Sequence, residues 1–180
     1  ITGASGFVGS FLVEHALAEG ADTWAAMRRT SSRQYLTDPR TQFIELDLGH
    51  DDRLRSQLAA HVAEHGAFDC VIHAAGATKA PSEAAFRKVN AEGTERLARL
   101  LLQTGALVPQ GRFVFVSSLS VMGAALEAPL RDAEGRPLQG PARYRPVSAD
   151  DEPQPNTAYG RSKLEAERRL AGIEGLNYVV

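Results

Sequence analysis

ITGASGFVGSF, residues 1–11, places glycine at every third position, Gly3, Gly6 and Gly9. Ile1 and Thr2 ahead of them read as the tail of a strand, and Phe7, Val8, Phe11, Leu12 and Leu17 recur at helical spacing, predicting a helix over Phe7 to Glu19 that Gly20 stops. Between a strand and a helix, each glycine has a physical job. One permits the tight turn, one lets the backbone approach a pyrophosphate, and one packs helix against strand. The helix N-terminus adds free N–H groups and a partial positive charge. Gly3, Ser5, Gly6, Phe7, Val8 and Gly9 are therefore candidate residues for holding a dinucleotide. The competing reading is a glycine-rich turn without a ligand.

Downstream, strands and helices alternate. Strands are predicted at Thr23 to Met27, Gln42 to Leu46, Phe68 to Ala74 and Arg112 to Ser117, with another beginning at about Asn177. Helices are predicted from about Asp51 to Glu64, with Leu54, Leu58 and Val62 on one face, and from Glu83 to Gln103, with Phe86, Val89, Leu97, Leu100 and Leu101 apolar. A last helix, capped by Asn156, runs to about Leu170. Such alternation argues for a parallel sheet covered by helices on both faces, a doubly wound α/β fold. The proline-rich stretch from Ala124 to Pro155 is long for a passive connection and reads as a functional loop on the substrate side, with plain disorder as its rival. The chain opens on Ile1 as if inside an element and closes on LNYVV as if entering a strand, so it reads as a piece of a longer chain, truncated at both ends.

The 180 residues, 43% hydrophobic and 23% charged, are enough for one good core. A net charge of -2 offers no electrostatic case for nucleic acid or an anionic membrane surface. No apolar run is long enough to span a bilayer. The one cysteine, Cys70, lies in the apolar run FDCVIHAAG and reads as a small buried hydrophobe; with no intrachain disulfide available, a reducing, cytoplasmic setting is the expectation. His73 reads as a satisfied structural histidine, since no cluster with metal-ligand spacing accompanies it, and Asp150, Asp151 and Glu152 read as a solvated loop face.

The end of the second strand bears on which dinucleotide is bound. A carboxylate there would take the ribose 2′-hydroxyl of NAD. The sequence instead reads AAMRRTSSR, with Arg28 and Arg29 where the acid would stand. Two guanidiniums suit a 2′-phosphate, which favours NADP, with NAD as the alternative cofactor and a solvated turn as the bland one. Asp47, followed by Leu48, ends the next strand; it is placed to accept a hydrogen bond from an adenine amino group or, equally, to cap the following helix.

NTAYGRSKLEAE sets Tyr159 and Lys163 four apart on one helical face. A phenol is a poor base at neutral pH because its pKa lies near 10. A neighbouring ammonium favours the phenolate, as does a cationic nicotinamide. On its own such a pair is common on exposed helices. RFVFVSSLSVMG ends a strand in Ser117 and Ser118, and a hydroxyl there lies on the edge where parallel sheets bind ligands. Ser118 could hold a substrate oxygen while Tyr159 moves a proton. The three features in this order are far more specific than any one of them.

TGASGFVG, FVFVSSLSVMG and YGRSK together resemble the extended short-chain dehydrogenase/reductases, the NAD(P)-dependent epimerase/dehydratase family, and FDCVIHAAG and VNAEGT extend the resemblance over the whole chain. The resemblance implies a Rossmann domain over residues 1–180, a nicotinamide cofactor, a small-molecule substrate and a catalytic triad of Ser118, Tyr159 and Lys163. Ser118 is preferred to Ser117 because it lies five residues before Gly123. It further implies that Ala74, Ala75 and Gly76 line the cofactor, that Tyr159 and Lys163 also touch it, and that Asn90 supports the site. Homodimers paired through helices are frequent in this family. Three features depart from its pattern: only Ile1 precedes the TG, Met122 replaces the usual tyrosine, and the portion that normally completes the substrate pocket is absent after residue 180. The expected chemistry is hydride transfer to or from a carbinol or ketone carbon, in a reductase, epimerase or dehydratase acting on nucleotide-sugars or on sterol-like or flavonoid-like alcohols. The rival from another class is a dinucleotide-binding regulator or structural subunit that turns nothing over.

Overall fold

A computed structural model of the chain describes residues 1–124, 131–139 and 147–180. Strand β1 (Trp24–Met27) pairs with β2 (Gln42–Glu45); β3 (Phe68–His73) pairs with β4 (Leu107–Phe115), and β4 with β5 (Tyr178–Val179). Every pair is parallel. Thr2 joins the two groups by bridging Ala26 on one side and His73 on the other. Its rung is made by Ala26 N–H to the Ile1 carbonyl at 2.8 Å and Thr2 N–H to the Ile72 carbonyl at 2.9 Å. The order across the sheet is β2-β1-Thr2-β3-β4-β5. The chain therefore winds outward to one side, returns, and winds outward to the other. That reversal opens a crevice at the carboxyl edge beside Thr2 and Gly3, where open α/β sheets take their ligands.

Alternate residues of β1 face opposite layers, as the two-residue period of a strand requires. Ala25 and Met27 pack with Val13 and Leu17 of helix α1 (Phe7–Ala18). Ala26 faces the main core, built from Leu54 and Leu58 of α2 (Asp51–His65), Leu97 and Leu101 of α4 (Gly93–Gln103), and Leu170 of α5 (Ala158–Ala171), around Phe113 and Phe115. Helices thus cover both faces, as the alternation predicts.

Several expectations are corrected in detail. In α1 the buried stripe is Gly9, Ser10, Val13 and Leu17, whereas Phe7, Val8 and Phe11 are exposed. The helix is where its apolar spacing put it, but close backbone packing, not the apolar count, decides which face turns inward. The predicted helix Glu83 to Gln103 is α3 (Glu83–Arg87) and α4 joined by a π-turn over Lys88–Glu92. The wider turn shifts the phase, so Asn90 and Ala91 are buried and Val89 is exposed. β4 begins at Leu107, ahead of the predicted Arg112; its register against β3 slips from Phe68↔Leu107 to Cys70↔Arg112, around Gln110 at φ +71°. Pro109 and Gly111 within that bulge disguise the strand. Thr157, not Asn156, caps α5, its Oγ1 accepting from Gly160 N–H at 3.0 Å. Cys70 is exposed rather than buried; it borders the cavity lined by Ile1, Thr2, Trp24 and Phe68, where β3 is bridged on that side through Thr2 at its His73 end.

Of the expected loop over 124–155, residues 125–130 and 140–146 lie outside the described residues. The described part holds a bridge between Arg131 and Pro137, closed around the Asp132 carboxylate, which accepts from Glu134 N–H and Arg136 N–H. Among the described residues no helix is long and apolar enough to cross a membrane, and no group of three or more His, Cys, Asp or Glu is placed to hold a metal.

Candidate active site at the carboxyl edge of the sheet

At the crevice, Gly3 takes φ +67°, and a Cβ built there would lie 2.6 Å from the Ala75 nitrogen and 2.7 Å from the Ala74 carbonyl carbon. Only glycine satisfies both the left-handed backbone and that contact. The first turn of the chain and the Ala74–Gly76 segment after β3 are thereby pressed together. α1 presses on the same turn, since a Cβ at Gly9 would lie 2.1 Å from the Gly3 carbonyl oxygen. α1 starts at Gly6 with no side-chain cap and no acid in its first turn. An uncapped, acid-free N-terminus at a crevice fits an anion such as a pyrophosphate.

Arg28 and Arg29 follow β1 on the same edge. Both are exposed, and neither guanidinium has a hydrogen-bond or ion-pair partner among the described residues. Their neighbours are committed: Arg33 lies 3.9 Å over the Phe43 ring, and Arg40 pairs with Asp38 at 2.7 Å. Asp47 after β2 serves the start of α2, accepting from Gly49 N–H at 3.1 Å and lying 2.9 Å from His50 Nδ1 and 3.3 Å from Arg53. The His50 contact is the main cause that holds its carboxyl below the usual range. The Leu48 carbonyl accepts from Arg96 at 3.1 Å.

The centre of the site is a directional chain of buried hydrogen bonds. Thr94 donates its hydroxyl hydrogen to the Asn90 carbonyl at 2.6 Å, so towards His73 Nε2, at 3.0 Å, it can only accept. Nε2 therefore carries the imidazole hydrogen, and Nδ1 accepts from the Thr2 hydroxyl at 2.7 Å. Thr2 in turn accepts from Ala75 N–H at 3.2 Å. His73 is a satisfied, neutral structural histidine, its pKa lowered to about 3, first by burial and then by the Lys163 charge. The Asn90 side chain clamps Ala77, accepting from its N–H at 2.7 Å and donating to its carbonyl at 3.0 Å, and also donates to the Ser162 hydroxyl at 2.9 Å. Ser162 passes the chain on to the Tyr159 carbonyl at 2.7 Å.

Tyr159 and Lys163 stand one turn apart on α5. Tyr159 is half-buried and meets Phe86 edge-on, ring centres 6.0 Å apart. Lys163 is only 4% exposed; its Nζ donates to the Val116 carbonyl at 2.7 Å and sits 3.9 Å over the Phe115 ring. Burial lowers its pKa to about 8, and Glu167 opposes that shift. Ser118 caps a one-turn 3₁₀ helix, Leu119–Val121, accepting from Ser120 N–H at 3.2 Å. This turn abuts α5 so closely that a Cβ on Gly160 would lie 2.3 Å from the Ser120 carbonyl oxygen. The Ser118 turn and Lys163 thus lie at the end of β4, with Tyr159 one turn before Lys163 on α5 and its ring against Phe86, and the Gly3 turn and Ala74–Gly76 lie after the central strands. The reading of the sequence missed the partners Thr94 and Ser162, and it missed Glu167, to which Ser117 donates. All three stand inside motifs already singled out, Thr94 at the end of VNAEGT and Ser162 and Glu167 within NTAYGRSKLEAE, but residue type alone does not reveal a partner.

The chain belongs to the NAD dependent epimerase/dehydratase family, whose model it matches over residues 1–179. It is 32% identical over 174 residues to a dTDP-4-dehydrorhamnose reductase of Mycobacterium tuberculosis, covering 94% of this chain and 44% of that protein. A ceramide reductase of Caulobacter vibrioides is 32% identical over 126 residues, covering 70% of this chain and 36% of that protein. Among solved structures, UDP-glucose 4-epimerase from Brucella ovis in complex with NAD superposes with a TM-score of 0.71 at 21% identity, covering 98% of this chain and 48% of that one. The Bordetella bronchiseptica enzyme WbmG in complex with NAD and UDP gives 0.69 at 22% identity, over 98% and 49%. The Rossmann fold is shared with these structures, and the chain spans about half the length of the relatives it matches.

Proposed function

We propose that the protein carrying this chain is an NADP-dependent oxidoreductase that interconverts a carbinol and a ketone on a small molecule. The observation that carries this reading is the placement of Lys163: a buried ammonium, one turn from Tyr159, delivered to the end of β4 next to the Ser118 turn. Tyr159 is the general acid/base, holding or taking the proton at the substrate oxygen. Lys163 favours the phenolate form through its charge, and Ser118 orients the substrate oxygen. The Gly3 turn and the N-terminus of α1 hold the pyrophosphate, the Ala74–Gly76 segment lines the cofactor with Asn90 behind it, and Asp47 and Leu48 border the adenine. When bound, the nicotinamide supplies or accepts the hydride.

Arg28 and Arg29, without partners among the described residues, support NADP over NAD, since two such cations on the cofactor edge answer a 2′-phosphate. Reduction is favoured over epimerisation by the same pair and by the names of the two relatives, both reductases. A sugar linked to a nucleotide is the leading substrate class, met by the loop over 124–155. Tyr159→Phe in the intact protein tests the assignment. Turnover should fall by ~10²-fold or more while NADP affinity changes little. Unaltered turnover would remove Tyr159 from the chemistry, and an intact wild-type protein that binds NADP but turns nothing over would support the non-catalytic, dinucleotide-binding reading.

A further inference from the structure

Two consecutive residues after β4 hold two side chains one turn apart on α5. The Val116 carbonyl accepts from Lys163, and the Ser117 hydroxyl donates to Glu167. Ser118 is the next residue. Glu167 is therefore fastened beside the proposed catalytic serine while lying on the same helical face as Lys163 and, two turns back, Tyr159.

We propose that Glu167 is a positioning residue for the proposed reaction: its carboxylate, gripped by the Ser117 hydroxyl, pins α5 to the end of β4 and supplies the counter-charge that keeps the buried Lys163 an ammonium. This rests on the catalytic reading of Tyr159 and Lys163. The surroundings of Lys163 make the counter-charge matter. On β4 it meets the Val116 carbonyl and the Phe115 ring, which carry no formal charge. On β3 it faces His73, whose network holds it neutral. On α5 it has Tyr159 and Glu167. Burial pulls the Lys163 pKa down to about 8, close to the working range of a neutral-pH enzyme, and the charge that acts in the opposite sense is that of Glu167. Glu167 forms no direct ion pair with Lys163 among the described residues, so it acts across space with its position set by Ser117. A buried lysine short of a counter-charge would be partly neutral at pH 7 to 8 and could no longer favour the phenolate.

The test separates charge from anchoring. Glu167→Gln keeps an acceptor for the Ser117 hydroxyl and removes the charge; Glu167→Asp keeps the charge on a shorter stem; Ser117→Ala keeps the charge and removes the grip. The Lys163 titration midpoint is read by NMR of lysine labelled at Cε in the intact protein, alongside the pH profile of turnover. Glu167→Gln should lower the midpoint by ~0.5 pH unit or more and draw the alkaline limb of the profile down with it. Glu167→Asp should restore most of the shift, and Ser117→Ala should fall between wild type and Glu167→Gln. A Glu167→Gln protein that folds and keeps the wild-type midpoint overturns the proposal. So does a Glu167→Asp protein that titrates like Glu167→Gln, or a loss of thermal stability with no movement of the midpoint. The NMR readout needs no turnover, so it judges Glu167 apart from Tyr159→Phe, which judges the reaction.

Discussion

The two sides of the crevice are built on opposite plans. On the α1 and β1 side, the residues proposed to meet the cofactor are open: α1 begins without a side-chain cap, and Arg28 and Arg29 stand exposed without partners among the described residues. On the β3 and β4 side, His73, Asn90, Ser162 and Lys163 are buried and each polar group has a named partner. The difference follows from what each side must do. Groups that bind a charged ligand keep their donors free until it arrives. Groups that set the position and charge of a reactive side chain must be fixed beforehand, in surroundings where electrostatic effects are strong. Substitutions on the closed side should therefore register first in stability, and on the open side in affinity.

The largest effect expected concerns acid. His73 is held neutral with a pKa of about 3 against an ordinary 6.5. Between those values the unfolded chain takes a proton that the folded chain refuses, so stability falls as pH drops through that window. The loss attributable to this group is ~4 kcal/mol by pH 3, and none of it appears above pH 6.5. His73→Gln, which can still accept from Thr2 and donate to Thr94, should lose stability less steeply below pH 6.5 than wild type in urea unfolding at stepped pH. Parallel curves would mean that the closed side does not depend on a neutral His73.

Next comes Gly160→Ala. The new Cβ would sit 2.3 Å from the Ser120 carbonyl oxygen, so α5 and the Ser118 turn must separate. A destabilisation of ~2–3 kcal/mol, read as a lower unfolding midpoint, should accompany a loss of turnover that exceeds any change in NADP affinity. Equal damage to affinity and turnover would blur the division between the two sides. The smallest effect belongs to the open side. Replacing Arg28 and Arg29 together by alanine should weaken NADP binding by ~10–100-fold, leave NAD binding within ~2-fold and leave the unfolding midpoint unmoved. Equal losses for both cofactors would remove the 2′-phosphate assignment.

What could be read in the sequence divides along the same line. The parallel sheet, its helices and the Gly3 turn were legible because they rest on local signals: apolar period, glycine spacing, and strands ending in small or polar residues. The face of α1 was not, because it is set by the contact between Gly9 and the Gly3 carbonyl rather than by Phe7 and Phe11. The π-turn at Lys88–Glu92 was not either, since one wide turn alters which residue points inward without altering composition. Asn90 stood out within VNAEGT, but its tie to Ser162 spans 72 positions, and that between Ser117 and Glu167 spans 50. A hydroxyl or carboxylate in a motif announces a capacity to bond; only the fold chooses the partner. Cys70 shows the converse, an apolar setting in sequence that borders an open cavity in space.

Lys163→Met bears on the whole account at once, with turnover and unfolding free energy both measured from pH 7 to 10. A buried ammonium whose pKa is lowered from 10.5 to about 8 costs the folded state stability wherever both states are protonated, below pH 8. Above pH 8 the folded chain releases that proton before the unfolded chain does, and the cost fades towards pH 10.5. The variant should therefore be more stable than wild type by about 1–3 kcal/mol at pH 7, with the gap closing as pH rises, while turnover falls by ~10²-fold or more. A variant that is less stable at pH 7 and still turns over substrate would contradict it, making Lys163 a structural tether and not the charge that drives the chemistry.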